Sequence, residues 1–137
     1  MFEIAAIEYV FNMVKGGMLL EFKNNSPIYL QVIDDVKKRI VLGEVKLGER
    51  MPSTRELALQ YRVNPNTAVR VYNEMEIMGL VFTKRGLGTF VTEDVEKYNS
   101  IRNEMAREYV SSFVEGMSHI GFSKEEILKC VEEFNVS

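Results

Sequence analysis

The sequence predicts a mainly α fold with a small β hairpin, arranged as a compact domain followed by a helical tail. Three observations lead to this prediction. Apolar residues recur every three or four positions over most of the chain, which is the period of amphipathic helices. Residues 80–92 instead carry two β-branched and aromatic runs around a glycine-containing turn. The 137 residues, with a hydrophobic fraction of 46%, provide enough apolar surface for a core.

The composition excludes several kinds of site and setting. The single cysteine, Cys130, rules out an intramolecular disulfide and a cysteine-based metal site, and it suits a reducing cytoplasm. No apolar run reaches the length of a membrane span. The N-terminus resembles a signal peptide only superficially, because it contains Glu3 and Glu8 and has no basic region at its start. We therefore predict a cytoplasmic protein without a metal, a cofactor or a membrane partner.

Residues 1–25 are a leader for which two interpretations are open. The first is an amphipathic helix, because apolar residues recur at helical spacing at Ile4, Ile7, Phe11, Val14 and Met18. The second is that residues 1–17 are a non-native extension. Lys15-Gly16-Gly17 is what a purine-rich ribosome-binding sequence encodes when it is read in frame, and Met18 follows directly. Mass spectrometry of the protein made from its own gene tests the second interpretation, which an intact segment 1–17 would exclude.

Residues 26–94 are predicted to form one domain, which opens with two helices. Ser26-Pro27 begins a helix of about fifteen residues that ends at Gly43. Its expected buried stripe is Ile28, Val32, Ile33, Val36 and Ile40. A connection with a short strand at Arg50-Met51 follows. Ser53-Thr54-Arg55-Glu56 then matches a capping box, which predicts a short second helix that buries Leu57, Ala58 and Tyr61.

The stretch RVNPNTAVRVYNEMEIMGL, residues 62–80, predicts a third helix with a polar exposed face. Asn64 is a good N-cap, Pro65 suits the first helical position, and Gly79 supplies the stop. The apolar stripe comprises Ala68, Val71, Tyr72, Met75 and Met78. The opposite side gathers Asn66, Arg70 and Asn73. Such a polar strip is often only solvated, but two helices joined by a short turn form a helix-turn-helix, whose second helix enters the major groove of DNA.

A basic hairpin follows the third helix. Leu80–Thr83 and Thr89–Thr92 are the predicted strands, and Lys84-Arg85-Gly86-Leu87-Gly88 is the loop between them. A β hairpin that follows a helix-turn-helix is called a wing. Taken alone, its basic residues also fit a solvated turn and its glycines fit positive φ angles. A dinucleotide fingerprint is excluded because no third glycine and no following helix complete it.

Residues 95–137 are predicted to form a two-helix dimerisation tail. A long apolar stripe ends at Gly121, and Ser123 with Glu126 forms a second capping box before the last helix. The long helix offers more apolar surface than a small domain covers, so a second copy of the chain is the expected partner. The predicted dimerisation residues are Tyr98, Ile101, Met105, Tyr109, Phe113, Met117, Ile127, Leu128 and Val131.

Charge is distributed unevenly along the chain. The whole chain has a formal net charge of −3. Residues 50–91 contain six basic and three acidic residues, a net charge of +3, whereas residues 92–137 contain five basic and ten acidic residues, a net charge of −5. A basic middle and an acidic tail fit a molecule of which only one part approaches nucleic acid.

Together, the motifs MPSTREL, NPNT, GLV and GLGTFV resemble the DNA-binding domain of GntR-type bacterial transcription regulators over residues 26–94. The short tail resembles the YtrA subfamily, whose members carry two helices there for dimerisation. The resemblance implies a homodimeric repressor of a pseudo-palindromic operator, with its own operon and a neighbouring transporter as the expected target. Roughly 45 residues of tail are too few for the ligand pocket of larger relatives. The operator and any effector stay unidentified.

The resemblance also implies particular DNA contacts. The arginine of the S-x-R-E-L motif matches Arg55, the start of the recognition helix matches Asn64, Asn66 and Thr67, and the wing tip matches Arg85 and Gly86. Many relatives place an arginine two residues after the threonine, where this chain has Val69 followed by Arg70. The full predicted set is Arg50, Ser53, Thr54, Arg55, Asn64, Asn66, Thr67, Arg70, Asn73, Lys84, Arg85 and Gly86.

Enzymatic functions find little support in the sequence. His119 is the only histidine and lies where the long helix ends, and Cys130 is expected to be a packing residue of the last helix. Neither has an obvious catalytic partner. The remaining alternative is a winged-helix module that binds protein and lacks specific DNA binding. The basic wing and Arg55 argue against it, and salt-sensitive binding to the promoter of its own gene decides the question.

Overall fold

A computed structural model describes residues 22–134, so the helix predicted over residues 4–18 lies outside the described residues. The described part of the chain divides into two compact units, one up to Asn99 and one from Ser100 onward. The described elements are five helices and two strands, which confirms a mainly α fold with a small antiparallel sheet. They are α1 (Ile28–Val41), α2 (Thr54–Tyr61), α3 (Pro65–Ile77), β1 (Val81–Lys84), β2 (Gly88–Val91), α4 (Val95–His119) and α5 (Lys124–Glu133).

The apolar stripe of α1 is buried as predicted except at its first residue. Val32, Ile33, Val36 and Ile40 are buried, whereas Ile28 is 47% exposed. Ile28 lies one turn before the first buried residue of the stripe, at the very start of the helix. The expectation that it packs in the core is therefore wrong, because the stripe extends one turn further than the core beneath it.

The helix-turn-helix forms as predicted because each helix carries its own start signal. The Ser53 hydroxyl accepts a hydrogen bond from the Glu56 amide at 3.1 Å, and the Glu56 carboxylate accepts one from the Ser53 amide at 2.9 Å. Between the helices, Arg62 adopts a left-handed φ of 53°. Asn64 then caps α3, with Pro65 as its first residue. Ala68, Val71, Tyr72 and Met75 are buried, which confirms the predicted core face, while Met78 is only half-buried.

The hairpin pairs β1 and β2 in antiparallel register from Val81 opposite Val91 to Lys84 opposite Gly88. A bridge between Arg50 and Phe90 adds a third short segment, which confirms extended backbone near residue 50. The connection before α2 is thereby hydrogen-bonded to the wing, since the Met51 amide donates to the Thr89 carbonyl at 2.7 Å.

Three tyrosine hydroxyls fix the helices of the first unit to their neighbours. Tyr61 of α2 is fully buried and donates to the Asp35 carboxylate of α1 at 2.7 Å. Tyr72 of α3 donates to the Pro52 carbonyl just before α2. Tyr98, half-buried at the start of α4, donates to the Val41 carbonyl at the end of α1 at 3.0 Å. Each bond satisfies a polar group that would otherwise be costly to bury.

The second unit consists of the remainder of α4, a four-residue turn and α5, which begins with the predicted capping box. Its buried side chains are Ile101, Met105 and Ile127. Cys130 is exposed, so the expectation that it packs in the last helix is wrong, because Ile127 is the only position of α5 that the described chain buries. His119 is exposed at the end of α4. None of the described helices is long and apolar enough to cross a membrane.

Candidate nucleic-acid interface

The polar face of α3 is exposed, opposite its buried stripe. Asn66, Arg70 and Asn73 are all exposed, as the helical wheel predicts. Val69 belongs to the same face and is 42% exposed. The positions 66, 69, 70 and 73 follow the three- and four-residue steps of one helix side. Val69 is a further candidate contact residue, which was not predicted from the sequence although the same wheel includes it.

One of the polar side chains at the start of α3 caps the helix. The Asn64 side-chain oxygen accepts a hydrogen bond from the Asn66 amide at 2.8 Å. The Asn64 side-chain amide keeps its N–H donors for a ligand, while its oxygen is committed to the helix. Thr67 is half-buried in the same turn, with its backbone amide bonded to the Asn64 carbonyl at 2.9 Å.

The start of α2 presents Arg55 together with amide groups of the first turn. Arg55 is exposed and Thr54 is half-buried. The Ser53 amide and hydroxyl are both engaged with Glu56, which leaves the Thr54 and Arg55 amides as donors without an intrahelical acceptor. The hydrogen bond from the Ser53 backbone holds the pKa of the Glu56 carboxyl below its usual range, so this carboxylate stays charged beside the arginine.

The wing combines cationic side chains with an aromatic pair. The Phe82 and Phe90 rings stack with centroids 5.8 Å apart, and the Lys84 ammonium lies 5.0 Å from the centroid of Phe90. Arg85 and Gly86 are exposed at the tip, where Gly86 has a φ of 79°. Arg50 lies against Gly88, since a Cβ built there would be 3.1 Å from the Arg50 Nε.

Arg70 is exposed but its guanidinium has a neighbour. The guanidinium carbon lies 3.7 Å from the centroid of the Tyr29 ring, which belongs to the first turn of α1. This is cation–π stacking distance. The stack joins α1 to the exposed face of α3, and no feature of the sequence alone predicts it.

All twelve predicted DNA-binding residues lie in the first unit, on α2, α3, the turns before them and the wing. The predicted dimerisation residues differ in exposure. Ile101, Met105 and Ile127 are buried within the described chain, Tyr98 and Met117 are half-buried, and Tyr109, Phe113, Leu128 and Val131 are exposed. The described residues contain no group of three or more histidine, cysteine or acidic side chains that is arranged to hold a metal ion.

Two helices linked by a tight turn, an exposed polar face on the second of them and a basic hairpin define a winged helix-turn-helix domain of the DNA-binding class. The family model described as "Bacterial regulatory proteins, gntR family" matches residues 28–91. The chain is 42% identical over 114 residues to YhcF of Bacillus subtilis, an uncharacterized HTH-type transcriptional regulator, covering 83% of this chain and 94% of that one. The chain belongs to the GntR family and is a transcription regulator.

A second relative and the solved structures agree with this assignment. The HTH-type transcriptional repressor YtrA of Bacillus subtilis is 30% identical over 115 residues, 82% of this chain and 88% of that one, which indicates the YtrA subfamily. A GntR family regulator from Listeria monocytogenes superposes with a TM-score of 0.78 at 34% identity, over 83% of this chain and 100% of that one. The DNA-binding domain of AraR in complex with an operator superposes with a TM-score of 0.50 at 26% identity, over 55% of this chain and 94% of that one.

Proposed function

We propose that this regulator is a homodimeric repressor that places α3 in the major groove of a pseudo-palindromic operator. The observation that supports this proposal is the division of α3 into two faces. Ala68, Val71 and Met75 are fully buried, so the helix is held rigidly, whereas the side chains at 66, 69, 70 and 73 extend from it unburied. A rigid helix with an exposed polar face fits the major groove.

The contacts divide into those that specify sequence and those that position the protein. Asn66 suits adenine and Arg55 suits guanine, and each good bidentate pair contributes on the order of 1–3 kcal/mol of discrimination. The free amides of Thr54 and Arg55, at the positive end of the α2 dipole, suit a phosphate group. The wing tip, with Arg85 and Gly86, suits the adjacent minor groove or its phosphates.

The proposed dimer uses the exposed apolar side chains of the tail. Tyr109 is 57% exposed and Leu128 is 54% exposed, and Phe113 and Val131 are exposed as well. Large apolar side chains clustered in sequence on two helices are typical of a surface that a partner covers. A two-fold axis through such a seam would place two α3 helices on half-sites one or two helical turns apart.

The wider role follows from the family and from the chemistry of the site. We infer a non-enzymatic protein of the cytoplasm, where bacterial DNA lies, and regulation of its own operon together with a neighbouring transporter. A partner protein in place of DNA is the alternative. It predicts no specific binding to the DNA upstream of the gene, whereas the DNA proposal predicts specific binding whose affinity falls steeply as salt rises, because several phosphates are contacted.

The decisive experiment is footprinting on the DNA upstream of its own gene, followed by gel shifts with the footprinted fragment. Arg55→Ala is expected to abolish specific binding while leaving the thermal unfolding curve unchanged, because Arg55 is exposed. Arg107→Ala in the tail is the matched control, since it removes the same charge from another exposed position. Normal operator binding by Arg55→Ala would refute the proposed contact.

The dimer is tested separately by sedimentation. Phe113→Glu places a charge in the proposed seam and is expected to give monomers with weakened operator binding. Ser111→Glu adds the same charge at an exposed polar position of the same helix and serves as the control. If both variants sediment as the wild type does, the seam lies elsewhere.

A further inference from the structure

The stack between Tyr29 and Arg70 links the start of α1 to the proposed DNA-binding face. Tyr29 is the second residue of α1 and is half-buried, whereas Arg70 lies in the middle of α3 and is exposed. The guanidinium carbon of Arg70 is 3.7 Å from the centroid of the tyrosine ring. At this distance the planar cation lies on the aromatic ring in direct contact.

Stacking leaves the hydrogen-bonding capacity of Arg70 unused. A guanidinium contacts an aromatic ring with its face, while its five N–H donors lie in its plane and point outward along the edge. Among residues 22–134 the structure gives the Arg70 side chain neither an ion pair nor a hydrogen bond. The ring is neutral, so the positive charge of Arg70 also remains available to an external anion.

Hydrogen bonds from Gln31, two residues after Tyr29, tie the segment before α1 to the helix. The Gln31 side-chain amide donates to the carbonyls of Lys23 and Ser26 at 2.8 and 2.9 Å, and its oxygen accepts from the Lys23 amide at 2.9 Å. The segment before α1 is thereby held against the helix two residues from the ring. Tyr29 is half-buried in the first turn of this helix, which makes its ring a suitable platform for a long, flexible side chain.

We propose that Tyr29 is a positioning residue, which holds the Arg70 guanidinium with its donor edge directed outward for DNA. This inference rests on the proposed function. Arginine has large rotamer freedom, and a ligand that must immobilise it loses affinity to that ordering. Stacking in the free protein restricts the side chain before DNA arrives. In this way α1 contributes to recognition through a residue of α3.

The size of the effect follows from the strength of an exposed cation–π contact. Removing the ring is expected to weaken operator binding by about two- to fivefold. Removing the guanidinium itself should cost more, because its contacts to DNA are lost as well. The accepting group on DNA is a phosphate oxygen or a guanine edge. A phosphate contact predicts the same loss on every sequence and a smaller salt slope, while a guanine contact predicts loss at one base pair.

A double-mutant cycle tests the coupling. Affinity for the footprinted operator is measured for wild type, Tyr29→Leu, Arg70→Ala and the double variant, with Tyr29→Phe as the control that keeps the ring. We expect Tyr29→Phe to bind as the wild type does and Tyr29→Leu to bind more weakly. The double variant should bind as Arg70→Ala alone does, since the ring acts only through the guanidinium.

The proposal would be overturned by unchanged binding of Tyr29→Leu, or by a loss from Tyr29→Leu that persists in full when Arg70 is already alanine. Unchanged binding by Arg70→Ala would overturn it as well. Thermal unfolding reports whether each variant folds, and Tyr29→Met replaces the leucine variant if that one does not. The proposed function fails in a different way, namely when the wild type itself shows no specific binding.

Discussion

Replacing Tyr61 with phenylalanine should destabilise the first unit more than the same change at any exposed tyrosine. The Tyr61 side chain is fully buried, and its hydroxyl donates to the Asp35 carboxylate, itself only 7% exposed, at 2.7 Å. A hydrogen bond to a charged group contributes about 1.5–3 kcal/mol. Phenylalanine fills the same space, so no cavity adds to this loss. We expect the free energy of unfolding to fall by about that amount in urea titrations, with an unchanged m-value.

Tyr72→Phe is the matched control because it removes a hydroxyl that bonds to an uncharged carbonyl, that of Pro52. A neutral hydrogen bond contributes about 0.5–1.5 kcal/mol, so this variant should lose less stability. If Tyr61→Phe loses no more stability than Tyr72→Phe, the hydrogen bond from Tyr61 to Asp35 is no stronger than one to a neutral carbonyl. The carboxylate of Asp35 would then not be what holds these two helices together.

The dependence of stability on alkaline pH tests the same hydroxyl independently. Burial above all, and then the charge of Asp35, raise the pKa of Tyr61, and burial also raises the pKa of Tyr72. Because the pKa is higher in the folded protein, each hydroxyl stays protonated there above the pH at which it ionises in the unfolded chain. The stabilisation is therefore complete below the unfolded pKa near 10 and is lost as the pH rises above it. Each such tyrosine adds a slope of about 1.4 kcal/mol per pH unit. In Tyr61→Phe the free energy of unfolding should therefore fall with alkaline pH at roughly half the slope of the wild type.

Three further predictions concern the wing, the capping box and the recognition face. Gly88→Ala should cost at least about 1–2 kcal/mol in urea, because Gly88 has a φ of 114° and the added Cβ would lie 3.1 Å from the Arg50 Nε. Gly86→Ala, with open space around it, measures the cost of backbone conformation alone and should cost less. The lowered pKa of Glu56 means that its stabilisation is present above the unfolded value of 4.5 and disappears as the pH falls, so Glu56→Gln should flatten the acid limb of a pH titration. Uracil in place of one operator thymine should weaken wild-type binding about two- to fourfold through loss of a methyl contact with Val69, but should not affect Val69→Ser. Insensitivity of the wild type to uracil at every thymine would exclude that contact.

The helix-turn-helix was predictable because its signals are local. Ser53 and Glu56 stand three residues apart and bond to each other in the structure, as their spacing predicts. Asn64 and Pro65 likewise determine where α3 begins within two adjacent positions. The face of α3 that is buried follows from the helical period alone. No long-range information is needed for any of these features, and family membership agrees with them.

Features that depend on distant parts of the chain were predicted poorly or not at all. The expected burial of Ile28 was wrong because the helical period does not reveal where the core beneath α1 ends. Cys130 was expected to pack, but an apolar position on α5 is buried only where another element covers it. The contact between Tyr29 and Arg70 joins residues of two different helices, and a lone sequence contains no signal for it. The DNA contacts and the dimer seam themselves stay predictions.

The structure of α3 separates the residues that hold the helix from those that would select DNA. Ala68, Val71 and Met75 have no exposed surface, so substitutions there act through packing and should change stability first. Asn66 and Val69 are exposed, so substitutions there should leave stability within about 0.5 kcal/mol of the wild type. Operator preference should therefore change independently of folding when only this exposed pair is exchanged. A variant of Asn66 and Val69 that unfolds at the wild-type urea concentration but selects a different sequence from a random pool would show that separation. Loss of stability in parallel with every change of preference would contradict it.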